Sequence, residues 1–251
     1  MVVTLSSGSQ VIIPASTPVV DSLGRIHTWC SPLDQGARWY QMGATLASGL
    51  ALSWLREHVF ALEGPDTYAK LDRWAADTPP GAEGLLFLPY LAGERTPHLD
   101  PHARAVFLGL STGHHRGHLT RAVMEGATLA LYDAARILTD LGSRPTRLIL
   151  VGGGARSTVW RQIVADVFGI PVTTLATVDG SALGAALLAG AGIRAYDLNQ
   201  TASTWARYDE FVQPNANAHR LYQRLLPIFR DAYTKHRDDF RLLAEIASNT
   251  T

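Results

Sequence analysis

Three consecutive glycines, Gly152-Gly153-Gly154, stand between an apolar run, Leu148-Ile149-Leu150-Val151, and a segment of helical periodicity that opens at Ser157. Ser157 fits the N-cap position, with Val159, Ile163, Val164 and Val167 on the buried face that follows. This is a strand, a tight turn and a helix. Glycines let a backbone approach a flat or anionic ligand, and unpaired N–H groups at a helix start attract phosphate. The turn is a candidate nucleotide site, although glycine-rich turns of this kind are also ordinary connections in α/β proteins. A dinucleotide fingerprint fits poorly, because Ser157 takes the third glycine place and Thr174 lies where the acidic residue would be.

Two further stretches carry hydroxyls or small residues at useful spacing. Ser6-Ser7-Gly8-Ser9 joins the strand-like Val2-Val3-Thr4-Leu5 to Gln10-Val11-Ile12-Ile13, and such a hairpin turn offers hydroxyls and amides to a phosphate. Gly49 and Ser53 lie four apart on a helix expected from Ala44 to Arg56, leaving room on one face for a ligand or for another backbone. Glu94 and Arg95 fit a structural ion pair better than chemistry. His114, His115 and His118 lack a carboxylate at a familiar ligand spacing, so no metal site is assigned.

These groups need a scaffold. The pattern predicts a loop from Asp21 to Gln35, a strand at 38–42, a helix from Pro65 to Ala76, a Pro/Gly-rich loop at 77–84, and strands at 85–88 and 106–110. A long core helix from His118 to Leu141 leads to the strand at 147–151. A strand at 171–175 and a small-residue helix at 179–189, suited to close backbone approach, come next. Residues 196–251 read as a polar connector and a terminal helix from about Ala218 to Ala247. Alternating helices and strands make an α/β layered domain, and one domain fills residues 1–251.

Composition narrows the function. Of 251 residues, 22 are basic and 22 acidic, so no global field favours nucleic acid or an anionic membrane. Cys30 is the single cysteine, which excludes an intramolecular disulfide, and no apolar run is long enough to span a bilayer. A cytoplasmic location is the expectation. A first strand at the very start of the chain suggests the latter part of something longer.

In order, Pro89-Tyr90-Leu91-Ala92-Gly93-Glu94-Arg95-Thr96-Pro97-His98, then Ala105-Val106-Phe107-Leu108-Gly109-Leu110 with His118-Leu119-Thr120-Arg121-Ala122-Val123-Met124-Glu125, then Gly152 to Gln162, form a set of motifs. Ala182-Leu183-Gly184-Ala185-Ala186 and the stretch Tyr222 to Leu226 complete it. Together they resemble the C-terminal half of the FGGY family of carbohydrate kinases, most closely its xylulokinase members. The resemblance covers nearly the whole chain. It implies a ribonuclease H-like, actin-like ATPase domain with a mixed sheet flanked by helices and a C-terminal helix. It also implies ATP and Mg²⁺, with the γ-phosphate passing to a ketopentose, as from D-xylulose to D-xylulose 5-phosphate, or to another polyol.

Carried over by position, Ser7 stands where the family has a threonine near the terminal phosphates, and Gly49 and Ser53 match positions on the phosphate and ribose side. Gly153, Gly154, Ala155 and Thr158 fall in the adenosine motif. Ser6-Ser7 replaces a usual Gly-Thr, and Ser53 is shorter than the polar residue often found there. The family's catalytic aspartate and most of its sugar pocket belong to an N-terminal domain, so no catalytic residue is assigned here. A chain lacking that domain is expected to be inactive alone and to self-associate through the face it would cover. The alternative is a non-catalytic remnant or nucleotide-binding module.

Overall fold

A computed structural model describes residues 1–32, 38–176 and 180–248. The N-terminal hairpin forms as its pattern requires. Strand β1 (Val2–Thr4) pairs antiparallel with β2 (Ser9–Ala15), and alternate residues Val3, Leu5, Val11 and Ile13 point into the core. Strand β4 (Trp39–Thr45) extends the sheet antiparallel to β2. On the other side β1 runs parallel to β7 (Leu148–Val151), and β7 runs parallel to β8 (Val172–Thr174). With β3 (His27–Cys30) against β4, the six-stranded order is β3-β4-β2-β1-β7-β8. A separate pair, β5 (Leu86–Leu88) and β6 (Val106–Leu108), is antiparallel.

The sheet places β1 next to β7. The hairpin turn at Ser6–Ser9 and the glycine turn after Val151, far apart in sequence, therefore leave the same sheet edge side by side.

Helix α3 (Arg116–Asp140) is the central core element; Val123, Met124, Ala127, Leu131 and Ala134 are fully buried. Gly126 is required there, because a Cβ would stand 2.0 Å from the Phe87 carbonyl oxygen of β5. Helix α4 (Thr158–Phe168) buries Ile163, Val164 and Val167, is capped by Ser157 Oγ accepting from the Trp160 amide, and ends at Gly169 with φ +67°. Helix α7 (Ala216–Ser248) packs Tyr222, Leu226 and Phe229 onto this layer.

Several expectations are corrected. The region expected as a loop from Asp21 to Gln35 contains β3, a strand too short to show a period; its last residues lie outside the described ones. Ala44 belongs to β4 rather than to a helix. Its amide donates to Thr96 Oγ1 and its carbonyl accepts from the Thr96 amide, which ties the end of β4 to the 94–96 segment. Helix α1 begins only at Gly49 (Gly49–Trp54) and continues as a π-helical turn, Leu55–Val59. The connector after Ala195 holds helix α6 (Leu198–Trp205), capped by Asp197 accepting from the Gln200 amide. Helix α5 (Gly180–Gly192) uses its small residues for close approach at Gly190, where a Cβ would stand 2.3 Å from the Tyr196 ring, whereas Gly184 and Gly192 have open space and only Leu187 is buried. The start expected at Asp179 lies outside the described residues. Among the described residues, no helix is long and apolar enough to cross a membrane.

Candidate nucleotide site

Helix α2 (Thr67–Ala76) faces the two adjacent turns and closes a cavity of about 510 Å³. Leu5, Ser6 and Ser7 line it from the hairpin, Gly49, Leu52 and Ser53 from α1, and Tyr68, Ala69 and Asp72 from α2. Gly153, Gly154, Arg156, Ser157 and Trp160 complete the wall. Five of the sequence-derived site residues thus meet in one place: Ser7, Gly49, Ser53, Gly153 and Gly154. Ala155 and Thr158 are absent from this lining. Ala155 turns instead toward a neighbouring cavity beside Gly152, Thr174 and Asp209, and Thr158 is exposed at the first position of α4.

The glycines have different tasks. Gly49 is where α1 meets the hairpin. Its amide donates to the Ser6 carbonyl at 2.8 Å, and a Cβ would lie 2.7 Å from that oxygen. Of the two sequence readings for Gly49, close backbone approach is the one the contacts display. Gly152, at φ +95°, would put a Cβ 2.5 Å from the Leu5 carbonyl. Gly154 donates its amide to that carbonyl at 3.0 Å. The expectation that the glycine turn offers free amides to phosphate is therefore corrected in part: the amides of Gly154, Ala155 and Ser157 all donate within the fold. Gly153 alone of the three has open space where a side chain would be.

The hairpin turn carries the more available donors. The Ser6 amide donates to Ser9 Oγ, but those of Ser7 and Gly8 have no acceptor among the described residues, and the Ser6 and Ser7 side chains are exposed. The turn is held from behind, where Ser48 and Leu50 donate their amides to the Ser7 carbonyl. On α1 the Ser53 hydroxyl donates to Glu57 at 3.0 Å.

The loop before α1 depends on Glu94. Its Oε1 accepts from the Leu46 and Arg95 amides at 2.9 and 2.7 Å, while Oε2 is buried without a partner among the described residues. The expected Glu94–Arg95 ion pair does not form. Arg95 instead reaches His27 at 3.4 Å. Burial pushes the Glu94 carboxyl up to about 7, against partial relief from the two amides. The folded state therefore binds a proton that the unfolded chain releases between its ordinary value of 4.5 and about 7. Glu94 favours folding below that window and opposes it above. Between pH 5 and 8 the wild type should lose up to roughly 3 kcal/mol more stability than Glu94→Gln. Urea midpoints of both proteins across that range check this; parallel curves would exclude it.

Tyr68, Asp72, Ser157 and Trp160 were not anticipated as lining residues. The available signal was the i, i+4 spacing of Tyr68 and Asp72, an aromatic and an acid on one helix face. Asp72 Oδ1 accepts from Ser157 Oγ at 2.8 Å, and half-burial raises its carboxyl above the usual range despite that bond. The Arg56 guanidinium lies 4.5 Å from the centroid of the Tyr68 ring.

His115 and His118 serve the start of α3, while His114 Nδ1 accepts from the Ser111 amide of the preceding turn. His115 Nδ1 accepts from the Gly117 amide, His118 Nδ1 from the His115 amide, and His118 Nε2 faces Glu83 at 3.2 Å. Among the described residues no group of three or more His, Cys, Asp or Glu side chains could hold a metal.

A family model described as the FGGY family of carbohydrate kinases, C-terminal domain, matches residues 2–193. The chain belongs to this family. The xylulose kinase of Staphylococcus epidermidis is 37% identical over 196 residues, 78% of this chain and 39% of that protein. The gluconokinase of Bacillus subtilis is 34% identical over 235 residues, 90% of this chain and 45% of that one. The crystal structure of xylulose kinase from Rhodospirillum rubrum superposes with a TM-score of 0.84 at 33% identity, over 96% of this chain and 48% of that chain. The chain thus spans less than half the length of these relatives. It is a C-terminal FGGY kinase domain, xylulose kinase-like, with the mixed sheet and flanking helices of the actin-like ATPase fold.

Proposed function

We propose that residues 1–251 form the ATP-binding half of a xylulose kinase-like enzyme that transfers the γ-phosphate of ATP to a ketopentose. The observation that carries this reading is the one cavity shared by the Ser6–Ser7 turn and the Gly153–Gly154 turn, with Tyr68 and Trp160 among its walls. Phosphates fit the amides and hydroxyls of Ser7 and its neighbours, and the nucleoside fits the glycine surface. Ser7, Gly49 and Ser53 on one side, and Gly153 and Gly154 on the other, are the contacts expected from this chain. Ala155 and Thr158 would act at the rim.

Transfer to a sugar hydroxyl also needs a carboxylate to take its proton. Asp21 is paired with Arg25, and Asp100 accepts from Tyr233 and the His102 amide, so neither is placed for that task. The catalytic aspartate and the sugar pocket belong, on this reading, to a domain outside residues 1–251. On this reading Mg²⁺ arrives as Mg·ATP, with phosphate oxygens and water among its ligands. A nucleotide-binding module without catalysis is the second reading, since neither Asp21 nor Asp100 is free for proton transfer.

Calorimetric titration with Mg·ATP and Mg·ADP, paired with a coupled assay on D-xylulose, separates these readings. Saturable binding without phosphorylation is expected for residues 1–251, and adding the N-terminal half of a relative should restore turnover if the chain is an enzyme half. Binding without restored turnover would favour the module. No binding at millimolar nucleotide would sink both.

A further inference from the structure

The geometry points to Asp72 as a specificity residue: its outward oxygen accepts a hydrogen bond from a donor on the nucleoside, a base amino group or a ribose hydroxyl. The inference rests on the nucleotide-binding reading above and names the residue that selects the nucleoside within it.

Asp72 lines the cavity from α2, on the same helix face as Tyr68. Its Oδ1 is held by the Ser157 hydroxyl, which itself caps α4, so the carboxyl group is fixed against the wall opposite α2. Oδ2 has no protein partner among the described residues. A partly exposed carboxylate oxygen with no protein donor, on the wall of a ligand cavity, is free to accept from a donor on the ligand.

Phosphate cannot supply it, since its oxygens are acceptors and carry like charge. The nucleoside can. Free donors for the phosphates lie instead at the Ser6–Ser7 turn. The Ser6–Ser7 turn thus offers donors to phosphate and Asp72 offers an acceptor to the nucleoside, with Arg156 also on the cavity wall.

The Ala variant suits a test, because Ala is a good helix former and Ser157 keeps its cap to the Trp160 amide. The full chain and Asp72→Ala are titrated with Mg·ADP, Mg·IDP, Mg·2′,3′-dideoxy-ADP and Mg·pyrophosphate, with thermal melts to confirm that both are folded. Loss of a hydrogen bond to a charged group should weaken ADP roughly ten- to a hundredfold in the variant and leave pyrophosphate unchanged or tighter. In the wild type one analogue should bind as weakly as ADP binds the variant, and the variant should not discriminate further against it. Weak IDP assigns the base amino group; weak dideoxy-ADP assigns the ribose. Unchanged or tighter ADP binding in Asp72→Ala overturns the inference, as does a wild type that binds all three nucleotides equally. Failure of the wild type to bind any nucleotide overturns the nucleotide-binding reading itself.

Discussion

Replacing Arg121 with Met should cost about 3–5 kcal/mol of stability, the range for breaking a buried ion pair from one side. Arg121 and Glu125 are both nearly inaccessible, with Nε donating to Glu125 Oε1 at 2.7 Å. The rest of the guanidinium donates to the Ala75 and Thr78 carbonyls at 3.0 and 2.9 Å, closing the C-terminal end of α2. Glu125 Oε1 also accepts from the Tyr222 hydroxyl of α7 and from the Gly81 amide. Burial raises the Glu125 carboxyl while Arg121 opposes that shift. Without Arg121 the carboxylate is stranded, two carbonyls lose their donors, and three elements come apart.

The functional consequence follows from what α2 carries. Tyr68 and Asp72 reach the cavity from this helix, so a loosened α2 should weaken nucleotide binding as well as lower the denaturation midpoint. Arg121→Met/Glu125→Leu is the diagnostic partner. It removes both charges at similar volume and should recover much of the loss. If the double variant is no more stable than the single, a stranded carboxylate is not the cause.

How much of this was legible in the sequence depends on the range of the interaction. Local signals were sufficient for Ser157 as a cap and for the hairpin at Val2–Ile13, because capping, turn chemistry and alternation act within a few residues. The motifs added what distance hides, bringing Ser7 and Gly154 to one site although the strands that carry them meet only in the folded sheet. What was missed has no local mark. Glu94 and Arg95 are adjacent and oppositely charged, yet the Leu46 and Arg95 amides capture the carboxylate where the 94–96 segment is tied to the end of β4. Ala44 and the residues around it are small and apolar, equally compatible with strand and helix until Thr96 pairs with them. For Asp72 the spacing from Tyr68 marks a shared helix face, but only the position of Ser157 across the cavity shows what that face meets.

Gly153→Leu should abolish nucleotide binding while leaving the fold intact, and the contrast with Gly152→Ala makes the experiment decisive. Gly152 sits at φ +95° with the Leu5 carbonyl where a Cβ would be, so even one methyl group forces β1 and β7 apart. Gly154 is hemmed in by Leu5 Cβ at 2.9 Å and by the Trp160 ring at 3.4 Å, and its loss of affinity on substitution would be confounded with disruption of the core. At Gly153 nothing lies within 4 Å of an added Cβ, and the residue lines the cavity directly. A leucine there costs the protein little, since it fills space that belongs to the ligand. Titration with Mg·ADP should show affinity falling more than a hundredfold, a barrier of roughly 3 kcal/mol, with a melting temperature within a few degrees of wild type. Gly152→Ala should show the reverse order, a large drop in melting temperature with any binding loss following from it. Retained affinity in Gly153→Leu would move the nucleotide out of this cavity and, with it, every contact assigned to the two turns.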